Sequence, residues 1–276
     1  MEQATFEFDE DGFLTERRGR LEVSIRGARE PLFARAHQIN RDCHRMVFSA
    51  DVHNQDPREM LVAVSFIRAL EHYQAAILLL SAGLVAPAKV AIRATLEAVF
   101  TTRSIARDEA TLKAFILNDL LQRRKLIRKA QQHEHTNLLE LRGALTEEFV
   151  RRLETETQIS GVKHQTTEEL ARLAGMHDWY TTAYAMLSQA THTAVRELEC
   201  YLSFDADDTV RSVQYAPSFE DISWLLLTAA HCILLGSDAV AETFALRHES
   251  RAEHLRFIEV QFASLGPISD NESARA

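Results

Sequence analysis

Two stripes of polar side chains are the part of this sequence best suited to binding or chemistry. In the first, Arg93 and Glu97 stand four residues apart in an apolar stretch, and a helical wheel places Lys89 and Ser104 on the same side. A solvated edge with an i,i+4 ion pair has this pattern. So does a polar seam packed against another helix, where charges must be paired to be tolerated. The residues alone leave both interpretations open.

The second stripe consists of Tyr184, Ser188, His192 and Arg196, which follow one another at steps of four residues. It offers two hydroxyls, an imidazole and a guanidinium along one strip. The wheel places His192 almost opposite the apolar face that contains Leu187. We therefore predict that this strip lies on the surface, or that it lines a cleft or a contact with another element or a second subunit. If the protein is an enzyme, His192, Arg93 and Glu97 are the predicted catalytic residues.

A third group of charges lies further along the chain, where Asp119 and Arg123 are one helical turn apart. Arg123 begins a basic run that ends at Lys129. Such a run is typical of a solvated face, but it is also the segment in which this acidic chain concentrates positive charge. We predict Asp119 and Arg123 as ligand-binding residues and the segment Arg123–Lys129 as the place where RNA or a phosphate would bind.

Pairs of Arg and His recur at a spacing that HEPN ribonucleases use for metal-independent RNA cleavage, in which four to six residues separate the two. The pairs present are Arg128 with His133 or His135, Arg172 with His177, and Arg247 with His254. Chance placement of the arginines and 12 histidines predicts about as many pairs, so the motif is only a hypothesis. Arg128 with His133 is the second choice for a catalytic pair, because this pair lies at the end of the basic run.

Familiar metal and nucleotide motifs are missing from the sequence. No histidine has a Glu three residues before it, as di-iron bundles require, and there is no P-loop, GxGxxG, GxSxG or HExxH. The adjacent residues His133, Glu134 and His135 would diverge on a helix. We expect no cofactor and no metal.

Composition indicates helices that bury a sizeable core. Of the 276 residues 46% are apolar and 26% charged, and only nine Gly and five Pro interrupt the chain. The formal charge of −9 gives nucleic acid no long-range attraction, so DNA is not an expected partner. Three distant cysteines, an acidic N-terminus and an apolar run too short for a bilayer, Trp224 to Gly236, predict a cytoplasmic protein without a membrane contact.

The elements that must position the stripes form an all-α fold, an irregular bundle of eight or nine helices with at most one short extended segment near 209–215. One helix begins at Asp56-Pro57, a strong start signal, and another begins at Thr166 or Thr167. We predict a flexible or docking arm over 1–20, one helical domain over 21–265 and a disordered tail over 266–276.

The segments SAGLVAPAKVAIRATLEAVFTTRSIA, FILNDLLQRRKLIRKA and YTTAYAMLSQATHTAV resemble an uncharacterised bacterial helical family, domain of unknown function 5677. The family's pattern is an R-x-x-x-E-like helix, a charged second helix and a later Tyr…Ser…His segment, and the resemblance spans roughly Leu61 to Phe244. It implies that Arg93, Glu97, Tyr184, Ser188 and His192 belong to one site. It implies no activity.

Two functions from different classes follow. The first is a helical binding or regulatory module whose polar face recognises a partner or small ligand. We expect this module to form a homodimer and to be associated with phage defence. The second is a metal-independent HEPN-type ribonuclease or toxin that uses an Arg/His pair. Whether the protein is an enzyme stays open at this point. The binding hypothesis fails if the stripes of Arg93 and Tyr184 lie on opposite outer surfaces.

Overall fold

A computed structural model describes residues 10–132, 148, 151, 155, 165–191, 195–207, 209–213, 215, 216, 219 and 221–265. In this part of the chain nearly all regular structure is helical, and the sheet has two short strands. The predicted all-α fold, a bundle of eight or nine helices, is confirmed. The sequence also predicts a helix over about 137–157, and this segment lies mostly outside the described residues.

Six helices precede the segment that carries Tyr184. They are α1 (Arg18–Ala28), α2 (Glu30–Ser49), α3 (Pro57–Ser81), α4 (Val85–Arg107), α5 (Glu109–Gln132) and α6 (Thr167–Leu173). Helix α7 has three consecutive parts, α-helical His177–Trp179, π-helical Tyr180–Tyr184 and α-helical Ala185–Thr191. After a single turn at Val195–Leu198 and strands β1 (Leu202–Phe204) and β2 (Val210–Val213) come α8 (Ile222–Thr243) and α9 (Arg251–Leu265). Helix α1 was not predicted from the sequence.

The predicted helix starts are confirmed by their caps. The Asp56 carboxylate accepts hydrogen bonds from the backbone N–H groups of Arg58 and Glu59, at 2.8 and 3.2 Å. Thr166 and Glu169 form a reciprocal capping box at the start of α6. Each cap satisfies amide groups that lack a partner in the first turn, a contribution of about 1 kcal/mol to the helix.

Helices α4 and α8 form the centre of the bundle and pack closely on α3. Gly236 of α8 makes the close approach to α3 and α4 possible, since a Cβ there would lie 2.9 Å from Val99 Cγ2 and 3.1 Å from Phe66 Cε2. Helices α3 and α8 are long and apolar enough to cross a membrane by length and composition, but 72% of the apolar window of α8 is buried in the bundle. This burial is the pattern of a core helix.

The C-terminal end of α4 holds the turn between α6 and α7. Arg103 Nε and Arg107 Nη1 both donate to the carbonyl of Ala174, at 3.2 and 2.8 Å. The next residue, Gly175, has φ +69°, and a Cβ there would lie 2.4 Å from Arg107 Nη1. A glycine therefore allows the helix to end with the arginine in place, and α7 begins against α4.

The extended segment predicted near 209–215 is confirmed as one strand of a hairpin. Strand β2 pairs antiparallel with β1, with Leu202 opposite Val213 and Ser203 opposite Ser212. All four residues of β2 are exposed, so the hairpin adds little to the core.

Candidate functional site

The hydroxyl of Tyr184 joins the two polar stripes. Arg93 Nη2 donates to it at 2.8 Å, and it donates in turn to Glu97 Oε1 at 2.7 Å. Arg93 Nη2 also lies 3.1 Å from Glu97 Oε1, so the three groups form a closed triangle. We call Arg93, Glu97 and Tyr184 the polar seam. The two stripes therefore meet between α4 and α7.

The seam is assembled from a regular helix and an irregular one. On α4, Arg93 and Glu97 are one turn apart, which places both side chains on the same face. On α7, Tyr184 is the last residue of the π-helical part, where each turn holds an extra residue. Single π-turns inside α-helices occur frequently at functional sites.

Aromatic packing fixes the Tyr184 ring beneath the Arg93 guanidinium. The guanidinium carbon lies 4.9 Å from the ring centroid, a cation–π distance. Tyr180 stacks on the same ring at 5.1 Å and 19° between planes, and Phe100 packs at 6.1 Å. Tyr184 as a whole residue is 8% exposed, while the side chains of Arg93 and Glu97 are 19% and 42% exposed. The seam thus has a buried base and an open outer edge.

Burial raises the pKa of Tyr184, and the Glu97 carboxylate adds to this rise while Arg93 opposes it. The phenol therefore stays protonated at neutral pH and acts as a hydrogen-bond donor to Glu97. Arg93 Nε is buried and has no hydrogen-bond partner among the described residues. The guanidinium consequently holds one donor that the fold does not satisfy.

Ser188 lies one turn after Tyr184, but its hydroxyl donates to the Tyr184 carbonyl at 2.7 Å. The hydroxyl proton is therefore used in a hydrogen bond to the backbone of its own helix. The ligand-binding role predicted for Ser188 stays a prediction. His192 lies outside the described residues, as does the side chain of Arg196. The predicted catalytic roles of His192, Arg93 and Glu97 are therefore predictions too.

Burial of Tyr184 against α4 matches one of the alternatives left open for its strip, a contact with another element. One expectation about the stripes needs correction. Ser104 is fully buried and donates to the Thr101 carbonyl, so it is not part of the polar edge of α4.

Helix α3 contributes a histidine that the sequence did not indicate. The charge of Glu97 acts on His72, whose pKa is lowered by burial and by Arg68, with Glu71 and Glu97 opposing. Arg68 Nε donates to His72 Nε2 at 3.1 Å, so this imidazole is neutral with its Nε2 lone pair occupied. The i,i+4 spacing of Arg68 and His72 was visible in the sequence, but nothing in it shows that this face of α3 lies near Glu97.

Lys89, at the other end of the α4 stripe, is paired. Its Nζ lies 3.2 Å from Glu197 Oε2 and 3.7 Å from Asp221 Oδ2. Glu197 belongs to the turn after α7, and Asp221 precedes α8. A second ionic contact therefore connects α4 to the later part of the chain beside the seam.

The basic run is on α5, and its side chains are described only in part. Lys125 and Lys129 are exposed, whereas the side chains of Asp119, Arg123 and Arg128 lie outside the described residues. His133 and His135 lie outside them as well. The roles assigned to Asp119, Arg123, Arg128 and His133, and the RNA contact over Arg123–Lys129, stay predictions.

Two of the Arg/His pairs have a described histidine in contrasting surroundings. His254 is 0% exposed and lies 2.9 Å from Asp42 Oδ2 and 3.1 Å from Arg35 Nη1, so it cannot reach an RNA strand in this fold. Arg172 is exposed, His177 is partly exposed, and the two share Glu168, with Arg172 Nη2 at 2.7 Å and His177 Nε2 at 3.4 Å from Glu168 Oε1. A carboxylate therefore already pairs with both groups of the accessible pair.

Within the described residues no group of three or more His, Cys, Asp or Glu side chains could hold a metal ion. The cysteines are free, with Cys43 and Cys232 buried and Cys200 exposed. Burial raises the pKa of Cys43 to about 12, so this thiol is unreactive at neutral pH.

The seam is therefore suited to recognition more than to proton transfer. Its phenol keeps its proton, the nearby serine donates to a carbonyl, and the His72 lone pair is occupied. Among the described residues, the open edge presents a guanidinium next to a carboxylate, a donor and an acceptor held side by side.

The comparisons with known proteins point to a family without an assigned function. A model described as "Family of unknown function (DUF5677)" matches residues 59–210, more than half of the 276 residues. This match begins near the expected start and ends before α8, earlier than the resemblance indicated. No curated protein and no solved structure matches the chain. The matched region contains all residues of the polar seam.

Proposed function

Because this chain belongs to the DUF5677 family of unknown function, we propose its function from the site itself: a helical binding module that recognises a polar ligand at the seam. The observation that carries this proposal is the Tyr184 hydroxyl held between Arg93 and Glu97 at 2.8 and 2.7 Å. Aromatic packing holds the Tyr184 ring in position, so the donor and the acceptor are already in place before a ligand arrives.

The chemistry of the seam selects the kind of ligand group. Arg93 offers donors and Glu97 offers acceptor oxygens, and their charges cancel. A ligand group that presents an acceptor beside a donor, such as a primary amide, would pair with both without leaving a net charge uncompensated. A simple anion would meet the Glu97 carboxylate, and a simple cation would meet the Arg93 guanidinium.

Binding of such a group is tested with acetamide, acetate and methylammonium as defined ligands. The backbone and Arg Nε resonances of labelled protein are followed by NMR during each titration. Acetamide is expected to shift the signals of the seam more than either ion does. Equal shifts for the three compounds, or no shift at the Arg93 Nε signal, would reject the proposal.

Two variants separate the seam from the rest of the surface. Glu97→Gln removes the charge of the acceptor and Tyr184→Phe removes the shared hydroxyl, and both are expected to weaken the acetamide response. Glu249→Gln is the matched control, because Glu249 is exposed and lies in the connection between α8 and α9. An identical response in all three variants would locate binding elsewhere.

A homodimer is the assembly that we propose for this module. Exposed apolar side chains on one face of α3 support it, with Val64 and Leu78 at 55% and 61% exposed. The test is the mass in solution by light scattering, with Val64→Ser and Leu78→Ser as a double variant. A monomeric wild-type protein would rule out the homodimer, but it would leave the binding proposal for the polar seam unaffected.

We also propose a cytoplasmic location, a role in phage defence and an RNA contact over Arg123–Lys129. Lys125 and Lys129 are exposed on α5, which supports an RNA contact at that helix. Among the described residues, no comparable observation supports the HEPN-type alternative, because Glu168 pairs with both Arg172 and His177.

A further inference from the structure

A concave site that shares no residue with the polar seam is formed in part by α7. It is an open cavity of about 270 Å³ between α7, α8 and α9. Its walls include the aromatic side chains of Trp179, Trp224 and Phe262 together with His231, Thr228 and Asp178. Three of these aromatic and imidazole groups, Trp224, His231 and Phe262, lie beyond residues 59–210, so the cavity needs the part of the chain that follows the family match.

The aromatic walls are held by the fold. The ring of Trp179 meets that of His231 edge to face, with centroids 4.9 Å apart and planes at 90°. Trp179 lies in the first turn of α7, and the π-helical part that follows adds Thr182 and Ala183 to the lining. The same π-turn thus directs Tyr184 toward α4 and Ala183 toward the cavity.

His231 adds no positive charge to the cavity at neutral pH. Burial lowers its pKa, and among its charged neighbours Glu259 and Asp238 oppose this effect while Arg251 adds to it. Glu259 and Arg251 belong to α9, and Asp238 belongs to α8, as His231 does. The imidazole is therefore a neutral side chain in the lining of the cavity, and it contacts Trp179.

Asp178 gives the cavity its charge. It is the charged residue among the described lining residues, it is exposed, and its carboxylate makes no ion pair within the described part of the chain. Aromatic rings attract cations through their negative faces, and a carboxylate beside them adds a direct Coulomb attraction. An anionic ligand would be repelled here.

The size of the cavity limits the ligand further. A volume of about 270 Å³ lies just below the range of roughly 300 to 1,000 Å³ that is usual for ligand sites. A nucleotide or a dinucleotide would not be enclosed. A compact group of a few heavy atoms would contact the aromatic side chains on several sides at once.

We propose that this cavity binds a small organic cation of the alkylammonium class, with Trp179, Trp224 and Phe262 contacting its methyl groups and Asp178 balancing its charge. Quaternary ammonium groups are the ligands for which aromatic cages with a nearby carboxylate are suited. The site is separate from the polar seam and does not depend on the function proposed for it.

The protein contains its own reporter for this site. The chain has two tryptophans, and both line the cavity, so intrinsic tryptophan fluorescence responds to a ligand placed between them. The full chain is titrated with tetramethylammonium into the tens of millimolar, and with 3,3-dimethyl-1-butanol as an uncharged compound of similar shape to choline. Choline itself is the third ligand.

Saturable changes with tetramethylammonium and choline, and weaker binding of the neutral alcohol, are the expected result. In Asp178→Asn the affinity for the two cations should fall roughly fivefold to tenfold, the effect of one partly exposed charge, while that for the alcohol should not change. Asp178 is exposed, so this variant should fold, which circular dichroism checks. Asp51→Asn, an exposed aspartate in the loop before α3, is the matched control and should bind like the wild type.

Two results would overturn the proposal. One is the absence of a saturable fluorescence change with either cation in folded protein. The other is equal affinity for choline and the neutral alcohol, or an unchanged cation affinity in Asp178→Asn, because the cavity would then be an apolar pocket without selectivity for charge. Phe262→Ala gives a further measure, since loss of one aromatic wall should weaken cation binding more than the Asp51→Asn control does.

Discussion

Removal of the Tyr184 hydroxyl tests the polar seam directly. In Tyr184→Phe the ring and its stacking on Tyr180 are kept, but the hydrogen bonds to Arg93 and Glu97 are lost. Hydrogen bonds to charged groups contribute about 1.5–3 kcal/mol each to stability. Glu97 is 42% exposed and regains water, whereas Arg93 is 19% exposed and already has an unpaired Nε. We therefore expect a loss of about 1–2 kcal/mol in the free energy of unfolding, mostly from the Arg93 side.

The measurement is urea unfolding followed by circular dichroism, with the denaturant slope checked for change. Tyr180→Phe is the matched control, because Tyr180 is an adjacent tyrosine of the same π-turn whose hydroxyl has no hydrogen bond among the described contacts, and its effect should be near zero. A double-mutant cycle with Arg93→Met should show coupling of about 1 kcal/mol. Additivity within about 0.3 kcal/mol, the behaviour of independent sites, would refute the idea of a connected seam.

Three further outcomes are expected. Gly236→Ala should lower the free energy of unfolding by about 1–2 kcal/mol, since overpacking against Val99 exceeds the gain of about 1 kcal/mol in helix propensity; a more stable variant would contradict the close contact. Burial lowers the pKa of His231 and His248 below the ordinary 6.5, so the folded protein binds fewer protons than the unfolded chain there. The contribution of these two histidines to the free energy of unfolding is therefore fully present above about pH 6.5 and is lost as the pH falls below that value. His248→Asn should flatten the dependence of the urea midpoint on pH. A urea midpoint that rises on acidification would contradict this prediction. Under the ribonuclease hypothesis, His192→Ala abolishes RNA cleavage with an unchanged melting temperature, and wild-type protein that leaves RNA intact ends that hypothesis.

Local signals in the sequence predicted the helix starts and the chemistry of α4 well. The Asp56-Pro57 start and the capping pair Thr166 and Glu169 are satisfied by bonds between residues at most three positions apart. Such contacts do not depend on the rest of the fold. The pairing of Arg93 with Glu97 belongs to the same class, because it spans one turn of a single helix.

The position of Tyr184 could not be obtained in that way. A wheel for a regular α-helix leaves open whether its strip meets solvent or another element, and only the packing of α7 against α4 shows that Tyr184 is buried. His72, the cavity beside Trp179 and the ionic contact of Lys89 with Glu197 also join residues that are distant in the chain.

The sequence by itself determined the helical class of this protein, where several helices begin and which side chains could carry charge on one face of α4. These properties are set within a few residues, by hydrogen bonds and side-chain spacing along one helix. The tertiary structure decided that Tyr184 meets Arg93 and that two tryptophans share a cavity with Asp178. Those contacts depend on the angles and distances at which whole helices pack, and these come from the combined burial of the core rather than from any local pattern.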